Sequence, residues 1–336
     1  MHDASRPLVT VIVLCFNTGR YVLEALESLR RQTYDHFEVV VVDDGSSDDS
    51  VDRVREWLSQ SPFAARHVEK ESNRGIPAAL NTGIQESTGA IVTWLSDDLW
   101  DPDRLDRVVS CFAEVPEDVG VVFGDAIIID ESGFPIGELR PPMSLDAIGI
   151  PSSTMATCEP GSWVVLEPRF VSKALLHRCF IPAPTAAVRR KCYETIGFYD
   201  ESLAIEDLDF WLRASLSTRF AYLRVPLVRY RRHESNFTSG ASTRYLEALR
   251  DTLQKHDTSI TGHRRTIARH LREEAYRVAT GLLAEGRLDV ALPTIRRFYL
   301  PNLEVTNRCV KETARLVGAA AHAMISSHPR PQERKK

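Results

Sequence analysis

Along the first third of the chain, short apolar runs alternate with segments whose apolar residues recur every three to four positions. Leu8–Cys15 is such a run, rich in β-branched residues, the pattern of a strand buried on both faces. Asn17-Thr18-Gly19 breaks it as a turn, and Val22, Ala25, Leu26 and Leu29 follow at helical spacing. Phe37–Val42 predicts a second buried strand, which stops at Asp43-Asp44-Gly45-Ser46-Ser47. That cluster supplies caps for a helix over Asp49–Leu58. Arg66–Val68 predicts a short strand, and Pro77–Gln85 a helix with proline at an early position. Ala90–Leu95 predicts a third buried strand and Pro102–Ala113 a helix. Val119–Phe123 and Ala126–Ile129 read as strands ahead of a hairpin turn at Asp130-Glu131-Ser132-Gly133.

Repeated strand–helix–strand units with short loops predict an α/β fold with a mostly parallel central sheet flanked by helices. Ligands of such sheets sit beyond the carboxyl ends of the strands. Asn17, Asp43/Asp44 and Asp97/Asp98 each follow a predicted strand end, so they are expected to converge on one rim. Residues 135–180 are less regular, with Pro141-Pro142 and 151–154 as loop. Thr185–Val188 and Ala221–Val225 predict strands and Asp207–Leu216 a helix. From residue 243 the pattern is helical, in segments 243–256, 264–285, 288–298 and 304–326. Ala275, Ala279, Leu282, Gly286 and Ala291 have the spacing of one tetratricopeptide-type repeat, a single copy without the neighbours such repeats stack on. The expected division is an α/β domain over 1–242, with halves at about 1–130 and 131–242, and a helical extension over 243–336 ending in a frayed basic tail.

With 336 residues, 43% hydrophobic and 26% charged, the chain is ordinary globular material for one large or two modest domains. Its apolar runs fall short of the roughly 18 residues of a membrane span. Residues 1–8 lack the basic and apolar regions of a secretion signal, so none is expected. The net charge of −4 is uneven: residues 243–336 carry 18 Lys/Arg against 10 Asp/Glu, and the rest 24 against 36. An acidic front argues against duplex nucleic acid, whose binding is dominated by phosphate neutralisation, and suits a site built on carboxylates. The basic C-terminal helices are candidates for peripheral contact with an anionic membrane or partner. Six cysteines lie far apart without a CxxC pair, which predicts free thiols in a reducing compartment and no zinc site. A cytoplasmic location follows as the expectation, with at most peripheral attachment at the inner membrane face.

Four clusters could carry chemistry. Asp43-Asp44-Gly45-Ser46 is either a turn with a helix cap or a carboxylate that accepts from a base or ribose, with Gly45 leaving room for the ligand. Ser96-Asp97-Asp98 places adjacent carboxylates at a strand end, where they repel unless a cation or a donor answers them. A hard divalent cation is one answer and a helix cap the other. Glu206-Asp207-Leu208-Asp209 either complements a helix N-terminus or includes a general base. Arg231–Asn236 is polar and basic, so His233 there is a candidate for metal or phosphate contact. Trp163 and Trp211 could stack on sugar rings; Trp211 follows the helix spacing of Leu208 and Leu212, which favours core.

The order of these motifs resembles family 2 of the inverting glycosyltransferases, with a GT-A, Rossmann-like fold. It runs through Val9–Ile12, Phe16-Asn17, Val42–Ser46, Asn73-Arg74-Gly75, Asn81-Thr82-Gly83, Ser96–Asp98 with Pro102, Glu206-Asp207 and His233, over roughly residues 7–238. The resemblance implies a UDP-sugar donor, transfer to a glycan, lipid-linked or small-molecule acceptor, and a setting in bacterial-type surface glycan synthesis. It implies that Asp44 holds the uracil, that Asn17 and Arg74 lie near the nucleotide, and that Phe16, Asn81 and Arg232 also bind substrate. It implies that Asp98 binds Mn²⁺ or Mg²⁺ with His233 nearby, that Asp97 faces the ribose or sugar, and that Asp207 is the base preceded by Glu206. Phe180–Thr185 falls where the family builds part of the acceptor side. Two positions depart from the pattern: Ser96 replaces the first Asp of the metal motif, and Leu80 an Arg before Asn81. A silent nucleotide-sugar binder is disfavoured by Asp98 and Asp207. A sugar nucleotidyltransferase is disfavoured by the single glycine after the first strand. A purely helical interaction module would leave the front half without a role.

Overall fold

The computed structural model describes residues 6–140, 162–234, 236, 243–256, 264–302 and 311–320. The chain divides into two compact units, Met1–His233 and Glu234–Lys336.

The first unit is built on β1 (Val9–Cys15), β2 (Phe37–Asp43), β3 (Ala64–Glu69), β4 (Ile91–Leu95), β5 (Leu99–Trp100), β6 (Val119–Ile129), β7 (Pro135–Leu139), β8 (Trp163–Leu166), β9 (Ala187–Arg189) and β10 (Arg219–Arg231). They form one sheet in the order β3-β2-β1-β4-β9-β6-β10-β5, with β7 on β6 and β8 on β10. The long strands β1–β4, β6 and β10 all run the same way. β9 is antiparallel to both β4 and β6, so it stitches two parallel blocks together.

β1 and β2 are continuous apolar runs because both their faces are covered. On one face Val11, Val13, Val39 and Val41 pack with Leu26 and Leu29 of α1 (Val22–Arg30) and Val54 of α2 (Ser50–Ser59). Two further helices, α3 (Ile76–Gln85) and α4 (Arg104–Glu114), complete the front half. The turn after β6 closes as expected: Asp130 Oδ1 accepts the Ser132 and Phe134 N–H groups, and Gly133 takes φ of +87°.

Several elements differ from the sequence pattern. β6 is one strand, not two. β10 runs on to Arg231 instead of stopping at Val225, with its pairing to β6 slipping around Pro226. Thr185 ends a short 3₁₀ turn (Ala183–Thr185) ahead of β9. The helix near Asp207 spans Glu206–Ala214. β5, β8 and the helices Pro168–His177 and Arg190–Ile196 have no counterpart in the pattern. The loops expected around 141–142 and 151–154 lie outside the described residues.

The second unit holds helices Thr243–Lys255, Arg264–Ala284 and Leu288–Thr294 and a helix over 311–320. Leu246, Val278, Leu282, Phe298, Tyr299 and Leu316 share its core. Gly286, at φ +74°, makes the turn between the second and third helices. The rest of the expected 304–326 helix lies outside the described residues. Among the described residues no helix is long and apolar enough to cross a membrane. Cys15, Cys111, Cys179 and Cys192 are free, and Cys158 and Cys309 lie outside the described residues.

Candidate active site

The loops after β1 and β2 are knitted into one rim. Asn17 sits at φ +52°. Its backbone N–H donates to Ser46 Oγ at 2.9 Å, and its side-chain Oδ1 accepts the Ser47 N–H at 2.8 Å. Asp43 shapes the turn by accepting the Gly45 and Ser46 N–H groups on Oδ1 and the Ser46 hydroxyl on Oδ2. Asp44 is buried. Its Oδ2 accepts the N–H groups of Arg74 (2.9 Å) and Gly75 (2.7 Å), and its Oδ1 pairs with Lys70 Nζ at 2.5 Å. The uracil-holding role implied for Asp44 therefore requires this carboxylate to share or give up a partner. Gly45 does not leave room for a ligand. A Cβ there would lie 2.8 Å from the Ser72 backbone, so the glycine is needed for the 70–75 loop to close on the turn.

At the end of β4, two-residue β5 pairs with β10 and draws Asp97 and Asp98 against that strand's last residues. Asp98 is buried, and its Oδ1 accepts the Arg231 N–H at 2.8 Å. Burial, with the Asp97 charge beside it, pushes the Asp98 carboxyl well above the usual range. Asp97 is in direct contact with His233 Nε2 through Oδ2, and the His233 ring stacks on Tyr21 with centroids 5.1 Å apart. Arg231 pins the group. Its guanidinium donates to the carbonyls of Asp97 and Glu131 and to Glu24, and it lies over the Tyr21 ring. Below Asp98, the fully buried Arg104 donates to Thr93 Oγ1 and the Pro184 carbonyl and stacks 3.7 Å over Trp100. Burial lowers its pKa to about 9.

Among the described residues no three His, Cys, Asp or Glu side chains converge as a metal cage. What is present fits a different kind of site. Two neighbouring carboxylates, one of them buried, and an adjacent imidazole suit a hard divalent ion that completes its shell with ligand phosphates.

Glu206 and Asp207 open the helix Glu206–Ala214, where acids are favoured by the helix dipole. Asp207 Oδ1 accepts the Leu208 N–H at 2.7 Å. Burial pushes both carboxyls up, and Asp207 adds to the shift of Glu206. Their charge is felt by Tyr199, while Asp207 also raises the Cys179 thiol beyond what burial does. Because the folded state holds these protons more tightly than the unfolded chain, it binds more protons between the free carboxylate value and the raised one. Stability must then fall as pH rises through that window. The melting temperature should be highest near pH 5 and drop towards pH 8, the upper pKa being about 8. Glu206→Gln should flatten the slope in a thermal melt series, and an unchanged slope would assign the charge elsewhere.

The remaining expected residues separate. Phe16 is 42% exposed at the rim. Arg74 is exposed and reaches Glu201 at 3.2 Å. Arg232 is exposed, and its backbone N–H donates to the Ile129 carbonyl. Asn81 is buried and fully spent on the protein. Its Oδ1 accepts the Tyr199 N–H, and its Nδ2 donates to the Tyr199 carbonyl and Glu201. These bonds make it the strut between α3 and the loop before Glu206. Trp211 is core, stacked on Trp94. Lys70, Tyr21, Arg104 and Arg231 were not singled out as site residues. Each acts through a partner distant in sequence, and only Arg231 carried a hint, as part of the polar, basic run Arg231–Asn236.

A sheet of this order, with carboxylates on its rim and an acidic helix start opposite, is the architecture of GT-A glycosyltransferases. Residues 10–167 match the model of glycosyl transferase family 2. An uncharacterized glycosyltransferase of Rickettsia felis is 29% identical over 209 residues, 62% of this chain and 31% of that protein. Glycosyltransferase GlyG of Streptococcus pneumoniae is 32% identical over 126 residues, 37% of this chain and 41% of the relative. The matched part thus spans about a third of the length of the first curated relatives. Among solved structures, residues 1–349 of S. aureus TarS with UDP-GlcNAc superpose with TM-score 0.58 at 18% identity, over 92% of each chain. The mannosyltransferase PcManGT of Pyrobaculum calidifontis, with GDP-Man and Mn²⁺, gives 0.56 at 22% identity, over 96% of this chain and 88% of its own. At these identities the likeness is one of fold.

Proposed function

We propose that the chain transfers a sugar from a nucleotide-sugar, in the favoured case a uridine one, to an acceptor hydroxyl with inversion at the anomeric carbon. The observation that carries this is the position of Asp207. It is a buried carboxylate at a helix start, with its pKa raised towards neutrality and no cation among the groups that shift it. A carboxylate tuned this way is matched to taking a proton near neutral pH.

In this reading Asp207 removes the proton from the acceptor hydroxyl as its oxygen attacks the anomeric carbon. The bond to the diphosphate breaks on the opposite face, which inverts the centre and needs no covalent intermediate. Asp97, Asp98 and His233 would hold a divalent ion. When bound, that ion supplies charge neutralisation for the departing diphosphate. Arg231 keeps both carboxylates at the rim. The Asp44–Lys70 pair fixes the 70–75 loop, so that Arg74 is presented to the nucleotide. The relatives' own donors, UDP-GlcNAc and GDP-Man, support a nucleotide-sugar without choosing the base.

Thermal shift against UDP-, GDP- and dTDP-sugars, each with Mn²⁺ and with chelator, tests this. Binding raises the melting temperature by mass action. One nucleotide-sugar should shift the melt with metal, and chelator should remove most of the shift. No shift with any nucleotide would refute the donor site, and a shift indifferent to chelator would refute the metal role.

A further inference from the structure

Asp125 is a buried carboxylate that the transfer mechanism does not use. Ala187 of β9 stands opposite both Thr93 of β4 and Val122 of β6. Asp125, three residues beyond Val122, is therefore level with Ser96, three beyond Thr93. It lies at the height of the catalytic rim although β6 itself continues to Ile129.

The face is the right one as well. Side chains two apart on a strand share a face, so Asp125 sits with Phe123. Phe123 packs against Phe180 at 5.9 Å and Tyr222 at 5.4 Å between centroids. Phe180 follows Cys179, the thiol that feels Asp207. Phe220, two residues before Tyr222, packs on Trp211 of the helix that starts with Glu206. Asp125 and Asp207 thus belong to the same side of the sheet at the same end.

At this point the β6–β10 ladder slips. Leu223 pairs with Gly124 and Pro226 with Asp125, so two residues of β10 bulge out. Bulges beside active sites re-aim side chains. Asp125 Oδ1 accepts the Tyr222 hydroxyl at 2.6 Å. Its Oδ2 has no hydrogen-bond donor among the described residues, and Arg140 Nε stands 3.8 Å away on a half-exposed side chain. Burial pushes the Asp125 carboxyl up. Among the described residues Oδ2 is held only by the long ion pair with Arg140, which leaves it able to take a hydroxyl donor. An anionic acceptor at the level of the rim suits a sugar, which offers hydroxyl donors.

We propose that Asp125 is an acceptor-binding residue, whose Oδ2 accepts a hydroxyl of a pyranoside acceptor while Tyr222 holds the carboxylate in place. This rests on the transfer reading above. The test uses the full chain with whichever nucleotide-sugar shifts its melting temperature. The probes are methyl α- and β-pyranosides of glucose, galactose, mannose and N-acetylglucosamine. Transfer to probe and hydrolysis of donor are counted in the same reaction. Loss of one hydrogen bond to a charged group should lower the transfer-to-hydrolysis ratio about tenfold in Asp125→Asn. Tyr222→Phe should lower it less. Nucleotide affinity by calorimetry should stay within about twofold, since Asp125 is assigned to the acceptor alone. An unchanged ratio overturns the proposal. So does a parallel loss of nucleotide affinity and melting temperature, which would make Asp125 a core tie. An enzyme that hydrolyses its donor yet uses none of the pyranosides also overturns it. Failure to bind or hydrolyse any nucleotide-sugar instead removes the transfer reading itself.

Discussion

Asp207→Asn should lower transfer by roughly 10²–10⁴-fold, the range that general base catalysis contributes. The amide keeps the shape of the carboxylate and can still accept the Leu208 N–H, so the helix start is preserved. Calorimetry should show donor affinity little changed, because the proposed reading assigns the nucleotide to other residues than Asp207. The wild-type rate should rise with pH as the Glu206/Asp207 pair loses its first proton, near the lower value of about 6. In the Asn variant that limb should vanish. A variant with near-normal turnover would assign the base to another group, and Glu206 would be the first to examine.

Asp44→Ala should produce the largest loss of stability among single changes at the rim. The substitution strips two backbone N–H groups of their acceptor and leaves Lys70 a buried ammonium without its counter-ion. Breaking one half of a buried pair typically costs about 3–5 kcal/mol. A fall in melting temperature of roughly 10 °C is expected from that cost. Adding Lys70→Met should restore part of the loss, because the stranded charge goes with it. A double-mutant cycle measures this coupling directly. Strictly additive losses would mean that Lys70 and Asp44 do not depend on one another.

The front half of the fold was legible because its signals are local. β1, β2 and β4 are unbroken apolar runs, and each ends in a polar cluster that has to lie on the rim. The two carboxylate motifs and the acidic helix start could be read for the same reason. β5 could not, since two residues carry no periodicity; it exists because β10 runs alongside it. β10 itself was cut short by Pro226 and a basic ending, and that concealed Arg231. Asn81 carries a role its motif does not announce, because every polar atom it has meets the loop at Tyr199–Glu201. Lys70 was invisible because an isolated lysine near a strand end ordinarily points to solvent. Only the fold sets it against Asp44.

The three-residue strand β9 has a consequence for the order in which the molecule can be made. β1 to β4 involve only the first 95 residues, so they can pair while the rest is still being synthesised. Their last strand then presents an open edge until residues 187–189 arrive to cover it. The second parallel pair waits longer still, because β10 lies nearly a hundred residues after β6. Contacts so distant in sequence form slowly. Arg231 and His233, which hold Asp97 and Asp98, are therefore among the last pieces of the first unit to leave the ribosome. A nascent chain stalled before them would hold a folded front half with a loose rim and an unprotected strand, a form prone to aggregate.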